Sequence, residues 1–248
     1  MMDETLFLNG GRNAVPSIRS MASNWLINTN QGVTFPSNLV SAWDDQGSLG
    51  AGNNASQVVS GSAFAYAAGA GPTGQPLITG SATKWMTIPD SASMRPSGAF
   101  AVFIAARRTG VGAFQCLLNS SSNLAWTNGW FGITTGADGT TMRAYCGNNA
   151  TMAVTYASDT NWHVHELFYN GTVLDYLVDG VSRGTIAATP SSGGPIVLGN
   201  GIATLAPTYN YPWRGNIDGG GLYPSPTTGG RSLVRRGWGS RLGIGVTP

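Results

Sequence analysis

The sequence predicts an all-β chain built from two antiparallel sheets, a sandwich or barrel, on three observations. Apolar or alternating runs recur at short spacing from about Pro36 to Pro226. Turn dipeptides separate them, Asp138-Gly139, Asn170-Gly171 and Asp179-Gly180 being the clearest. The 36 glycines and 10% charged residues, against about 25% charged in ordinary soluble domains, describe a chain of tight, uncharged loops. At 248 residues one large all-β domain is feasible without disulfide or metal support.

Residues 1–35 read as an N-terminal arm. Leu6, Phe7, Leu8 and Trp25, Leu26, Ile27 form two apolar anchors too short to fold alone. The body, 36–228, carries strand runs at 99–107, 114–119, 129–135, 141–147, 152–157, 195–199 and around 216–223. In the first run Phe100, Val102 and Ile104 alternate with Ala101, Phe103 and Ala105, so both faces are apolar and the strand is expected at the centre, covered on both sides. Asp138-Gly139 closes a hairpin. From Asn161 to Gly184 three strands form a meander, and both its dipeptides suit tight turns with φ > 0. Within it Leu174, Tyr176 and Val178 alternate with Val173, Asp175 and Leu177, the pattern of a half-buried strand. In 229–248, Leu233, Val234, Trp238 and Leu242 could share a helix face. Gly237 and Gly239 each weaken a helix by about 1 kcal/mol relative to Ala, so helix and irregular tail both stay open on propensity.

Composition narrows the function classes. Net charge is +2, and the positive excess lies in Arg231, Arg235, Arg236 and Arg241, which no acid accompanies after residue 228. Four arginines at one end are a weak basis for nucleic-acid binding and read better as a solvated or partner-bound helix end. No apolar run approaches membrane-spanning length, and the N-terminus lacks the pattern of a secretion signal. Cys116 and Cys146 lie in apolar runs and read as buried free thiols. A retaining glycosidase needs two nearby carboxyl groups, yet the only glutamates are Glu4 and Glu166, and Asp44 and Asp45 would point apart on an extended strand. His163 and His165 share a strand face, but no third metal ligand is identifiable and Glu166 faces the other way. Neither a nucleophile elbow nor a GxxxxGK[ST] phosphate loop is present. No enzymatic role is expected.

Several segments in order resemble the concanavalin A-like, laminin-G-like jelly-roll family, especially its versions in phage and bacterial proteins. They are NLVSAWDDQGSLGAGNNASQ (38–57), GQPLITGSATKWMTIPDS (74–91), PSGAFAVFIAARR (96–108), the meander with PIVLG, and RGNIDGGGLYPSPTTGGRSLVRRGWGSRLGI (214–244). The resemblance implies a two-sheet jelly-roll sandwich closed by a strand and a short C-terminal helix. It also matches Trp162-His163 to the family's aromatic-His pair, which implies a structural histidine. Gly219–Gly221 departs from the family pattern and suggests a bulge or a close backbone approach. Lectin-like relatives bind calcium through loop oxygens. Here the candidate donors Asp44, Asp45, Asp90 and Asp159 form no contiguous ligand loop, so the expectation leans to no cofactor and calcium stays open.

The leading functional expectation is a non-enzymatic virion structural protein, a phage capsid decoration or minor capsid protein. Its attachment surfaces would be Leu6, Phe7, Leu8, Trp25, Leu26, Ile27, Arg231, Arg235, Arg236 and Arg241, with capsid proteins as partners. On that reading, removal of 1–35 weakens attachment more than it destabilises the body. The alternative is a carbohydrate-binding or host-recognition module. Flat rings in loops stack on sugars, and Trp126, Trp130, Tyr209, Tyr211 and Trp213 are the candidates.

Overall fold

The computed structural model describes residues 18, 21–29, 31–34, 39–48, 50–57, 64–81, 84–110, 112, 114–121, 129–147, 151–157, 159–191, 193–200 and 211–248. Short strands come first: β1 (Trp25–Asn28), β2 (Val33–Thr34), β3 (Leu39–Val40), β4 (Ala42–Trp43), β5 (Ala55–Ser56), β6 (Phe64–Ala67), β7 (Leu77–Thr79) and β8 (Met86–Ile88). Longer ones follow: β9 (Phe100–Arg108), β10 (Cys116–Ser121), β11 (Gly129–Thr135), β12 (Thr141–Tyr145) and β13 (Thr151–Ala157). The chain continues with β14 (His163–Tyr169), β15 (Val173–Val178), β16 (Val181–Ala187), β17 (Gly193–Leu198), β18 (Gly215–Pro224) and the helix α1 (Thr228–Leu242).

These strands make two antiparallel sheets. The back sheet runs β16-β15-β14-β9-β18-β7-β6-β3, and β1 also pairs with β18. The front sheet runs β13-β12-β11-β10-β17-β8-β5-β4-β2. The protein is thus a two-sheet jelly-roll sandwich with a C-terminal helix. Strand β9 is central and covered on both faces. Phe100, Val102, Ile104 and Ala106 enter the inter-sheet core, whereas Ala101, Phe103 and Ala105 join a second cluster with Val234, Trp238 and Leu242 of α1. Those three helix residues recur every four positions, which puts them on one stripe; Leu233, one position off it, is exposed. Thr227 caps the start of α1 by accepting from the Gly230 amide, and Gly243 ends it at φ 66. Among the described residues no helix is long and apolar enough to cross a membrane.

The meander turns work in two ways. Asp179 and Gly180 both have positive φ, 54° and 82°, as a two-residue hairpin requires. At the other turn only Gly171 has positive φ. Asn170 acts instead through its side chain, whose Oδ1 accepts the Thr172 and Val173 amides at 3.0 and 2.8 Å.

Strand β18 shows both features suggested by its glycines. Its register against β9 shifts between Ile217 and Gly219, a bulge at Asp218. A Cβ on Gly220 would lie 2.6 Å from the Phe103 carbonyl, and one on Gly221 would lie 3.0 Å from the Trp25 carbonyl, so both neighbouring backbones press on the strand.

The expected attachment surfaces need correction. Trp25, Leu26 and Ile27 are fully buried, because β1 pairs residue for residue with Gly220–Leu222 of β18. The separate arm drawn over 1–35 therefore does not extend across Trp25–Ile27, and removing all of 1–35 takes out a core strand. Leu6, Phe7 and Leu8 lie outside the described residues. The helix arginines are internal as well. Arg231 and Arg235 reach the fully buried Glu166 of β14 at 2.5 and 2.9 Å, and Arg231 also covers the Phe168 ring at 3.6 Å. Arg241 grips Asp218 through two 2.7 Å contacts and adds one to Thr29 Oγ1. Only Arg236 of the four faces solvent. The basic charge of the helix is spent on carboxylates that the sheet buries beneath it.

Candidate functional site

The aromatic candidates fare differently. Trp126 and Tyr209 lie outside the described residues. Trp213 is 1% exposed and belongs to the inter-sheet core, which leaves no ring face for a ligand. Trp130 is half-buried and packs edge-on to Phe100, with centroids 6.2 Å apart. Tyr211 is the one described candidate whose ring meets an exposed partner. It makes a T-shaped contact with Phe114, centroids 5.6 Å apart at 65°, and Phe114 is 37% exposed.

Phe114 was not among the sequence candidates, because it opens the apolar run FQCLLN and reads as the first core position of a strand. In the fold it precedes β10 and turns outward at φ 55, a conformation that a bulky side chain rarely adopts. The flanking glycines Gly110 and Gly112, together with Gln115, were the available signal of a turn rather than a strand start.

A dense set of hydrogen bonds holds this conformation. The Phe114 amide donates to the Gly136 carbonyl at 3.1 Å. Gln115, 2% exposed, is the hub. Its amide donates to Thr135 Oγ1 (2.8 Å), its carbonyl accepts Thr134 Oγ1 (2.9 Å), its Nε2 donates to the Gly110 carbonyl (2.9 Å), and its Oε1 accepts the Arg214 amide (3.0 Å). The Tyr211 side is fixed by its amide donating to Asn200 Oδ1 and its carbonyl accepting the Cys116 amide, both at 2.9 Å. A strained backbone persists where its surroundings over-determine it, and these bonds do so. An exposed Phe114 ring, set against a half-buried Tyr211, is thereby held at the end of the front sheet where β10 begins and β11 ends.

The turn beside it, 136–140, is shaped by Asp138. Its oxygens accept the Thr141 hydroxyl and the Thr141 and Thr140 amides, and with Arg143 nearby these hold its carboxyl down at about 2. Cys116, beneath the pair, is a free thiol that burial pushes well above its usual range, and Cys146 is likewise free and buried. Two shallow clefts lie elsewhere. One of about 530 Å³ is lined by Gly171, Thr172, Thr189 and Pro190; the other, about 430 Å³, by Asn24, Ser93, Arg95 and Ser225. Neither has an aromatic wall.

The histidine pair and the calcium candidates have partners within the fold. His163 lies between two carboxylates, Nδ1 2.6 Å from Asp179 Oδ2 and Nε2 2.8 Å from Asp159 Oδ1. His165 is buried and shares a 2.7 Å hydrogen bond with Tyr176 Oη. Asp45 accepts the Leu26 and Gly47 amides, Asp44 accepts Asn54 Nδ2, and Asp90 pairs with Arg95. Among the described residues no three His, Cys, Asp or Glu side chains are grouped to hold a metal ion.

With the geometry in hand, the chain can be set beside known proteins. No protein-family model matches it, and no curated protein matches it in sequence. Solved structures do match. It is a β-sandwich of the same architecture as the binding domain of Paraclostridial Mosquitocidal Protein 1 (TM-score 0.59, 13% identity, 90% of this chain and 53% of that one). Domain 4 of AbnA, a GH43 extracellular arabinanase from Geobacillus stearothermophilus solved with arabinotriose, aligns at TM-score 0.57 and 13% identity over 88% of this chain and 98% of that domain. Trypanosoma rangeli sialidase in complex with sialic acid aligns at TM-score 0.58 and 11% identity over 90% of this chain and 33% of the sialidase. The chain thus spans about half of the toxin domain and a third of the sialidase. At such identities the likeness is one of fold. The jelly-roll sandwich agrees with the resemblance read from the sequence; its phage branch has no counterpart among these three.

Proposed function

We propose that the protein is a carbohydrate-binding module whose contact surface is the Phe114–Tyr211 pair. The observation that carries this reading is an exposed phenyl ring, held at φ 55 by a buried glutamine hub and set against a tyrosine. Outward aromatics on rigid supports suit the apolar faces of sugar rings, and the hydroxyl of Tyr211 adds a polar edge. The fold neighbours support the class, since they include an arabinanase domain solved with arabinotriose and a botulinum neurotoxin D/C binding domain solved with a sialylated ligand.

The reading is of binding without catalysis. Among the described residues every carboxylate has a partner within the fold, from Glu166 and Asp218 on the helix arginines to Asp175 on Ser182. A capsid-decoration role draws less support, because its attachment residues Trp25–Ile27, Arg231, Arg235 and Arg241 are occupied internally.

A glycan array followed by titration calorimetry tests the proposal. Wild type is expected to retain a defined glycan subset, and Phe114→Ala or Tyr211→Ala to weaken binding about five- to tenfold, consistent with a lost stacking contact of about 1–1.5 kcal/mol. Val181→Ser, an exposed change on β16, is expected to leave it unchanged. Undiminished binding in both aromatic variants overturns the assignment of the site.

A further inference from the structure

Two arginines stand beside backbone that supports the aromatic pair, Arg143 at Gly136 and Arg214 at Gly110 and Gln115, and the fold makes little use of either guanidinium. Arg143 on β12 lays its guanidinium over Gly136, the residue whose carbonyl receives the Phe114 amide. A Cβ on Gly136 would lie only 2.9 Å from Arg143 Nε and 3.1 Å from Nη2. That Nε is buried without a hydrogen-bond partner among the described residues. Arg214 approaches from the other side. Its backbone is fixed by Gln115 Oε1 and by the amides of Thr109 and Gly110, while its exposed side chain leaves the strand beside Gly110. No described residue forms an ion pair or hydrogen bond with the Arg214 guanidinium.

The charge they face is small. Asp138 is the carboxylate of the adjoining turn, and its oxygens are already filled by Thr140 and Thr141. Behind it Arg108 donates to the Gly139 carbonyl from a buried position. Among the described residues around Phe114, two accessible or half-buried guanidinium groups therefore stand against one satisfied carboxylate. A planar guanidinium fork matches carboxylate and sulfate oxygens.

We infer that the Phe114–Tyr211 site takes an anionic glycan, one bearing a carboxylate or a sulfate, with the sugar ring over the aromatic pair and the anion on Arg214, supported by Arg143. This inference rests on the carbohydrate-binding reading above. Phe114 and Tyr211 supply contact area to any sugar, whereas Arg214 decides between charged and neutral ones.

Matched ligand pairs test it on the full chain. The probes are an oligogalacturonate with its methyl ester, and a sulfated galactan oligosaccharide with its desulfated form. In each productive pair the anionic member is expected to bind at least about tenfold tighter at low salt, the preference shrinking as ionic strength rises. Arg214→Gln is expected to remove about tenfold or more of that preference, a charge-assisted hydrogen bond's worth, with little effect on the neutral member. The pair that shows the preference identifies the anion as carboxylate or sulfate. Equal binding of charged and neutral members that Phe114→Ala abolishes and Arg214→Gln leaves intact overturns the inference and preserves the module. Absence of binding to every member of both pairs, and to the array, overturns both.

Discussion

Phe114 concentrates the tension between stability and use in one residue. Its left-handed backbone costs a non-glycine side chain about 1–2 kcal/mol, and at 37% exposure the ring recovers only part of its burial energy. Glycine would accept φ 55 without strain but loses more freedom on folding, about 0.5–1 kcal/mol. Phe114→Gly should therefore leave the urea midpoint equivalent to within about 1 kcal/mol of wild type while removing glycan binding. A cooperative loss of stability in that variant would mark the ring as a packing residue. Tyr211 was a candidate from the sequence as an aromatic in a Pro-containing run, and it belongs to the site proposed above. Phe114 was missed because it opens an apolar run, despite the glycines at 110 and 112 ahead of it, and Trp213 was misjudged, since its ring lies between the sheets.

At the scale of elements, α1 is held down by charge as much as by its apolar stripe. Burial pushes the Glu166 carboxyl up and the Arg235 guanidinium down, each against the pull of the other charge. Such an arrangement adds little net stability when intact, yet removal of one partner strands the rest. Glu166→Gln leaves Arg231 and Arg235 buried without a counter-charge, and chemical denaturation should show a loss of about 3–5 kcal/mol. Strand β9 and the meander were readable from periodicity and turn chemistry, whereas β1 was not. The helix was undecided on propensity because its glycines oppose it, and what decides it lies outside it. Gly239 lets Val246 pack within 2.9 Å of where a Cβ would stand, and the bulge in β18 points Asp218 at Arg241. Neither contact leaves a local trace in the sequence of 228–242. The burial of Trp25–Ile27 was equally invisible, because their partner strand lies almost the whole chain away.

The molecule as a whole carries two histidines with opposed pH responses. His163 can donate from both ring nitrogens only when protonated. Burial opposes that charge, but the hydrogen bonds to Asp179 and Asp159 outweigh it and raise its pKa. Its stabilising contribution is therefore complete below about 6.5, the ordinary histidine value, and fades as pH rises through the raised value. His165 is buried and pushed down to about 3. The unfolded chain takes up its proton first, so stability falls as pH drops below about 6.5, by up to about 1.4 kcal/mol per unit. Thermal unfolding should give a melting temperature that is highest near pH 6–7. His163→Gln should flatten the alkaline limb and leave the acid limb in place. An unaltered alkaline limb in that variant would show that the Asp159–His163–Asp179 bridge contributes nothing. The same bridge reaches the chain end, since the Asp179 carbonyl accepts the Thr247 amide at 2.7 Å.

Strand β18 has a consequence for the order of events during synthesis. It lies between β9 and β1, and Trp25 pairs with Leu222. At about 5–20 residues per second, β1 leaves the ribosome on the order of 10–40 s before the strand it needs. Until β18 is made, β1 lacks its partner and the β18-facing edge of β9 stays open, with Trp25 and Phe103 uncovered. The nascent chain is then open to capture by chaperones, and the back sheet closes only once its centre has been made.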